Sequence, residues 1–254
     1  MYIAGQKDMQ LMDQYTMEKL SLPGIVLMEN AGTAVVNEVM KDFPNKTTNI
    51  IVLAGGGNNG GDGFVIARRL IDFGYEVMLL LAVDEESLKG DAKLHYEAYK
   101  KRQLPMVTAE DYDMKKAQVI IDALLGTGVQ GAVREPFYSL INAVNKSAAF
   151  VYAVDVPSGV NADTGEVANV AIRANKTITF VLPKKGFYLQ QGPQFIGEIV
   201  CTDISVPLSL VQTLKLDLPT CITHELGKGA VPKRLAYGHK GTFGHVLVIG
   251  GCKN

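Results

Sequence analysis

The chain has 254 residues, 47% of them hydrophobic and 20% charged, with a formal net charge of −1 at pH 7. That length holds one large domain or two small ones, and the near-zero charge gives no electrostatic case for nucleic acid or an anionic membrane as partner. Apolar runs such as Val77 to Val83 fall far short of the roughly 20 residues a bilayer requires, so no membrane association is expected.

Two amphipathic patterns, at about Lys7 to Leu20 and Gly24 to Asp42, predict helices separated by Pro23. Short apolar runs then alternate with amphipathic ones. Ile50 to Ala54 reads as a strand, Asp62 to Phe73 as a helix, Glu76 to Ala82 as a strand and Ser87 to Arg102 as a charged helix. Met106-Val107 is a weak strand, Val119 to Ala123 a strong one and Pro136 to Asn145 a helix. Phe150 to Val154, Thr177 to Val181 and Glu198 to Ile204 complete the strands. Continuous apolar strands alternating with helices specify a parallel sheet covered on both faces, and right-handed crossovers make it a Rossmann-like, doubly wound, mostly parallel sheet in a three-layer αβα arrangement.

The N-terminus lacks the apolar core of a signal peptide. Cys201, Cys221 and Cys252 lie far apart, with no Cys/His spacing for zinc, so a reducing cytoplasm is expected. The charged helix carries His95-Tyr96-Glu97-Ala98-Tyr99, read as solvated helix surface rather than a base-stacking platform. His224, His239 and His245 fall in or beside the C-terminal segment.

Three loops leave carboxyl ends of strands, where open α/β sheets bind ligands. The first packs six glycines into the nine residues Gly55-Gly56-Gly57-Asn58-Asn59-Gly60-Gly61-Asp62-Gly63. A nearly bare backbone that opens a helix can close its N–H groups around an anion. Gly55-x-Gly57-x-x-Gly60 formally fits the dinucleotide fingerprint, with Asp84 near the offset of a ribose-binding acid, but so many glycines fit it by accident. Asp62 places a carboxylate where that fingerprint would hold a pyrophosphate, and is alternatively an N-cap. The second loop runs from Asp122 through Gly126-Thr127-Gly128-Val129-Gln130-Gly131-Ala132 to Arg134, and the third is Asp155-Val156-Pro157-Ser158-Gly159. Asp122 and Asp155 are strand-end carboxylates that burial would desolvate and that need partners. With Asn59 and Ser158 they offer oxygen ligands to a hard cation and nothing for a soft one. Neither a Gly-x-Ser-x-Gly elbow nor a Gly-x4-Gly-Lys-Ser/Thr loop is present.

The segments Gly-Gly-Asn-Asn-Gly-Gly-Asp-Gly (56–63), Asp-Ala-Leu-Leu-Gly-Thr-Gly (122–128) and Asp-Val-Pro-Ser-Gly (155–159) together resemble the NAD(P)H-hydrate epimerase family over roughly residues 1–224. The resemblance implies a potassium-dependent, Rossmann-like homodimer that interconverts the R and S forms of hydrated NADH and NADPH. By motif position it implies that Asn58, Asn59, Gly60, Gly61 and Asp62, with Gly126, Thr127, Gly128, Val129, Gln130, Gly131 and Ala132, bind the substrate. Asn59, Asp122 and Ser158 would hold potassium, and Asp155 would contact the reacting ring; as a strand-end carboxylate in a crevice it is the candidate acid/base. Arg134, Lys184 and Lys185 are candidate phosphate contacts, with solvated surface the expected role of the two lysines.

The segment 225–254, with His239-Lys240-Gly241-x-x-Gly244-His245 and the strand-like Val246-Leu247-Val248-Ile249-Gly250-Gly251, resembles the start of the ADP/ATP-dependent hydrate dehydratase. It carries too little of that ribokinase-like domain for dehydratase activity to be expected. Two other readings remain at this level: a nicotinamide-dependent oxidoreductase using the glycine loop conventionally, and a non-catalytic interaction module such as occurs in messenger-RNA decapping enhancers.

Overall fold

The computed structural model describes residues 1–108, 114–222 and 224–230, with Tyr237 and Leu247 as isolated positions. Tyr2–Pro219 forms one compact unit, and Met1 with Thr220–Asn254 forms another, of which the short helix His224–Ala230 is described. The expected strand at Val246 to Ile249, together with His239, His245 and Cys252, lies outside the described residues apart from the isolated Leu247. Among the described residues no helix is long and apolar enough to cross a membrane.

The larger unit is built on seven parallel strands: β1 (Asn49–Ala54), β2 (Glu76–Leu81), β3 (Met106–Thr108), β4 (Val119–Ala123), β5 (Phe150–Val154), β6 (Lys176–Phe180) and β7 (Glu198–Thr202). Their order is β3-β2-β1-β4-β5-β6-β7, every pairing parallel. The order reverses between β1 and β4, which opens a crevice beyond their carboxyl ends. Side chains alternate across the sheet as the pleat requires. Ile50, Val52 and Ala54 of β1 join one core cluster, while Ile51 and Leu53 join the other.

The first cluster is covered by α1 (Gln6–Glu18), α2 (Gly24–Asp42), α3 (Asn58–Asp72) and α4 (Gly90–Lys101); α5 (Phe137–Lys146) covers the second with flanking loops. Two anchors hold the N-terminal helices over the sheet. Asp42 at the end of α2 accepts from Lys176 Nζ at 2.6 Å and Tyr152 OH at 2.7 Å. The strand-like start of the unit bridges Ala4 to Lys184, and Lys185 N donates to Ala4 O at 2.9 Å just before α1 begins.

Several boundaries move relative to the sequence reading, each for a local reason. Helix α3 begins at Asn58, with Gly57 as its extended N-cap, so Asp62 lies inside the helix and is no cap. Gly90, at φ +56°, separates a one-turn 3-10 helix at Glu85–Ser87 from α4, where one continuous helix was expected. Asp84 caps that turn, accepting from Glu86 N at 3.0 Å. Val181 at φ +63° and Ser205 at φ +73° bend the chain after β6 and β7, which end earlier than their apolar patterns. His95, Tyr96 and Tyr99, expected at the surface, are buried: the two rings join the core under α4, and Tyr96 packs at 5.3 Å against Phe64.

Two glycines set how closely α3 meets the sheet. A Cβ at Gly55 would overlap the Leu124 carbonyl oxygen, and one at Gly60 would overlap the carbonyl oxygen of Gly55. Gly57 has open space around its Cβ position. Gly55→Ala is therefore expected to destabilise the protein by about 2–3 kcal/mol or more, because backbone must move, whereas Gly57→Ala changes stability by less than about 1 kcal/mol. Urea denaturation of the two variants checks this, and equal stabilities would count against the close contact.

Candidate functional site

At the carboxyl end of the sheet lies a cleft of about 210 Å³. It is walled by Asp13 and Met17 of α1, Leu27, Met28 and Ala31 of α2, Asn58, Asn59 and Asp62 of α3, Asp91 of α4, Gly126 and Thr127 after β4, and Asp155 after β5. All three expected loops meet here, but only the start of the second reaches the cleft. Val129 to Ala132 line separate depressions, one of them of about 400 Å³ beside Arg134 and Phe137.

Behind the cleft is a compact set of oxygens. Asp122 is fully buried, and its carboxylate accepts from Ser158 N at 2.8 Å, Ser158 Oγ at 2.6 Å and Leu124 N at 3.2 Å. Burial still outweighs these bonds and pushes the Asp122 carboxyl up to about 6. Ser158 Oγ accepts from Leu125 N at 2.9 Å, and Asn59 Nδ2 donates to Leu125 O at 2.9 Å. That last bond turns the other amide atom, Asn59 Oδ1, inward, where it is buried without a hydrogen-bond partner. An orphaned buried acceptor beside a buried carboxylate, a serine hydroxyl and a backbone carbonyl is chemistry suited to a hard cation. One formal negative charge among the donors matches a monovalent ion better than a divalent one. Among the described residues, no cluster of three or more His, Cys, Asp or Glu side chains offers an alternative metal site.

The second polar group centres on Asp155, held in the left-handed region at φ +62° where β5 ends. Such a conformation in a non-glycine residue persists only when its surroundings enforce it. Asp155 N donates to Ile178 O at 2.8 Å, while Thr179 Oγ1 and Phe180 N donate to Asp155 Oδ1 at 3.1 and 3.2 Å. Lys184 Nζ lies 2.6 Å from the same oxygen. Lys184 is 1% exposed and also donates to Thr179 Oγ1, Phe180 O and Leu182 O. The expectation of a solvated lysine is thus wrong for Lys184, whose hydrocarbon stem and ammonium are both enclosed. Lys185 is half-buried and pairs with Asp8 at 3.3 Å. With three donors on Oδ1, Asp155 Oδ2 is the oxygen left for a ligand.

The other carboxyls of the cleft lack such support. Asp62, 8% exposed, has its carboxyl raised well above the ordinary range by burial first and then by the neighbouring Asp155 and Asp13. Asp13 is raised to about 6 by burial and Asp155, against an opposing pull from Lys184, and its Oδ1 is buried without a partner. Motif reading gave no sign of Asp13, and it offered Lys184 only as a phosphate contact or solvated surface, not as the partner of Asp155. Neither Asp13 nor Lys184 sits in a glycine loop, and α1 reads as an ordinary amphipathic helix; only the strand-like contact of Ala4 with Lys184 brings them to the cleft.

Comparison with known proteins shows the family and the fold. The sequence pattern of the family described as YjeF-related protein N-terminus matches residues 24–186. A bifunctional NAD(P)H-hydrate repair enzyme of Moorella thermoacetica is 37% identical over 99% of this chain and 49% of its own length. An NAD(P)H-hydrate epimerase of Rhodopirellula baltica is 38% identical, covering 79% of this chain and 83% of its own. The chain thus spans about half the length of the bifunctional relatives it matches. The crystal structure of the yeast protein YNL200c superposes with a TM-score of 0.72 at 22% identity, covering 89% of this chain and 98% of that one, which shows the fold.

The raised carboxyls give stability a definite pH dependence. A carboxyl whose folded pKa exceeds its unfolded value keeps its proton longer in the folded state, so stability is greatest below the unfolded pKa and falls as pH rises through the folded one. For Asp13, between its ordinary 3.8 and about 6, the loss is about 3 kcal/mol. Asp13→Asn is expected to flatten the decline between pH 4 and 6 in denaturant titrations; an unchanged slope would show that Asp13 is not buried as described.

Proposed function

The chain belongs to the family of YjeF-related protein N-termini, and on that premise we propose that it is an isomerase that epimerises hydrated NADH and NADPH. The observation that carries the reading is Asp155: a strained, strand-end carboxylate fixed through one oxygen by buried Lys184, with its other oxygen left for the cleft. The names of the relatives from Moorella and Rhodopirellula support the substrate.

Inverting a carbon that bears both a hydroxyl and the ring nitrogen requires proton traffic at that hydroxyl. Either the hydroxyl loses its proton as the ring opens, or it gains one as water departs. In this reading Asp155 accepts from the hydroxyl and steadies positive charge that develops at the ring nitrogen. The amides of Asn58 and Asn59 and the backbone from Gly126 to Ala132 hold the remainder of the nucleotide, while Gly61 N is already bonded to Gly57 O within α3. Lys184, with Thr179 Oγ1 and Phe180 N, fixes Asp155 through its Oδ1.

Potassium would be held by Asn59, Asp122 and Ser158, where the orphaned Asn59 Oδ1 supports the fit. The ion supplies charge that balances Asp122 and so stiffens the loops carrying Gly126 and Asp155. We extend the reading to a cytoplasmic homodimer, supported by the family resemblance and by exposed Val26 of α2, Leu94 of α4 and Leu20 in the bend after α1. Residues 225–254 are proposed as the opening of a dehydratase-like second domain.

The decisive assay supplies mixed NADHX epimers to a separate stereospecific dehydratase and follows consumption of the slow epimer. The chain is expected to accelerate it, and Asp155→Asn to cut kcat by about 10²-fold or more with little change in binding. No acceleration by the native chain would favour a non-catalytic module. For the cation, replacing Li+ by K+ at constant ionic strength is expected to raise Tm by about 5 °C, and Asp122→Asn to abolish the shift. A rise that survives in the variant would place the ion elsewhere.

A further inference from the structure

We propose that Asp13 is a positioning residue whose charge, in the same cleft as Asp62, helps keep Asp62 as the neutral acid facing the substrate hydroxyl. This deepens the epimerase reading and rests on it for the identity of the substrate.

The geometry begins with a count of charges. Asp13 comes from α1, Asp62 from α3 and Asp155 from the end of β5, and all three line one cleft. The basic group that reaches them is Lys184, already committed to Asp155 at 2.6 Å. The other side chains around the space do not restore the balance. Those lining it from α2 are Leu27, Met28 and Ala31; α4 adds a further carboxyl, Asp91; Cys201 of β7 lies behind Lys184. Asp62 is more than nine-tenths buried and, among the described residues, makes no hydrogen bond or ion pair through its carboxyl, while Asp13 Oδ1 is buried and also unpartnered. Asp62, buried in a cleft that also holds Asp155 and Asp13, has among the described residues no cation or donor to compensate an anion, so it retains its proton to higher pH than an ordinary carboxyl. Of Asp13 and Asp62, Asp62 is the deeper and the more strongly raised.

That arrangement divides the work between two carboxyls by environment. Asp155 is the supported carboxylate and Asp62 the unsupported acid. In the water-loss route, the Asp62 proton passes to the hydroxyl oxygen as the carbon–oxygen bond breaks. The lone pair of the ring nitrogen moves to form a ring iminium, and water is released. Water then adds to the opposite face of that carbon, and the proton it sheds exchanges through solvent water to restore the Asp62 carboxyl. Atoms and charge balance, and no external reagent is consumed. Asp13 touches no reacting atom in this scheme; its charge sets the pH at which Asp62 lets go of its proton.

The test uses carboxyl-carbon NMR of the full chain alongside the kinetic pH profile. In the native chain one aspartate carboxyl is expected to remain in its acid form at pH 7, and that signal to vanish in Asp62→Asn. In Asp13→Asn its midpoint should fall by about one pH unit. The alkaline limb of kcat/KM should fall with it, giving about a tenfold loss at pH 8 against less than about threefold at pH 6. Asp13→Glu should restore the native limb. A midpoint that does not move in Asp13→Asn, or a uniform loss of activity at every pH, overturns the proposal. Carboxyl coupling without epimerase activity would overturn the epimerase reading while keeping the pair; activity with an unmoved midpoint would do the reverse.

Discussion

The contact between the start of α3 and the ends of β1 and β4 is the constraint on which the rest depends. Backbone meets backbone there: Gly55 abuts the Leu124 carbonyl, and Gly60 abuts Gly55. An ordinary side chain at either position would lift the helix away from the sheet. At this separation the side chain of Asn59 reaches Leu125 O, and through it the Ser158–Asp122 group. The glycines are therefore spacers in a polar assembly as much as a bare surface for a ligand. The residues among them that bear polar side chains, Asn58, Asn59 and Asp62, line the cleft.

A second consequence is the separation of two electrostatic environments a few residues apart. Around Asp122, backbone N–H groups and a serine hydroxyl surround the carboxylate, and the unused amide oxygen of Asn59 completes a set of acceptors. Around Asp155, an enclosed ammonium supplies the balancing charge. Asp62 lines the same cleft and receives neither form of support, while Asp13 feels Lys184 only partially. A cleft with a balanced carboxylate on one side and an unbalanced one on the other can hold anionic and neutral carboxyls at the same pH, which acid–base chemistry at neutral pH requires.

Much of this was legible in the residues. Hydrophobic period and strand length specified the parallel sheet, and the positions of Asp122 and Asp155 at strand ends placed them correctly, because those signals are local. The start of α3 was misplaced by four residues, since glycine-rich sequence disfavours helix and only packing against Ala123 and Met28 makes the helix form there. Lys184 and His95 were read as solvated because long polar side chains usually are. Their burial depends on contacts with distant chain: the Asp155 turn in one case, and Ile25 O and Glu29 in the other. Asp13 had no local signal at all. Its place follows from the bridge of Ala4 to Lys184, which no periodicity encodes.

The two helices before β1 are what distinguish this crevice from an open dinucleotide site. In a conventional doubly wound sheet, the helix after β1 presents its N-terminus to a pyrophosphate across a glycine turn. Here the same helix N-terminus is walled by α1 and α2, and its second turn points a buried carboxyl into the space. A phosphate seated beside Asp62, Asp13 and Asp155 would meet three carboxyls and one ammonium that is already engaged. Asp84, the residue at the ribose-reading offset, is occupied in capping a 3-10 turn. Electrostatics therefore disfavours the phosphates at the inner cleft and leaves it to an uncharged, hydroxyl-bearing group. A hydrated nicotinamide ring has that character, and the pyrophosphate would then lie outward, toward the loop between Val129 and Arg134. The same glycines that suggest a grip on an intact dinucleotide cofactor are thus embedded in a site whose charge disfavours an anion at its inner end.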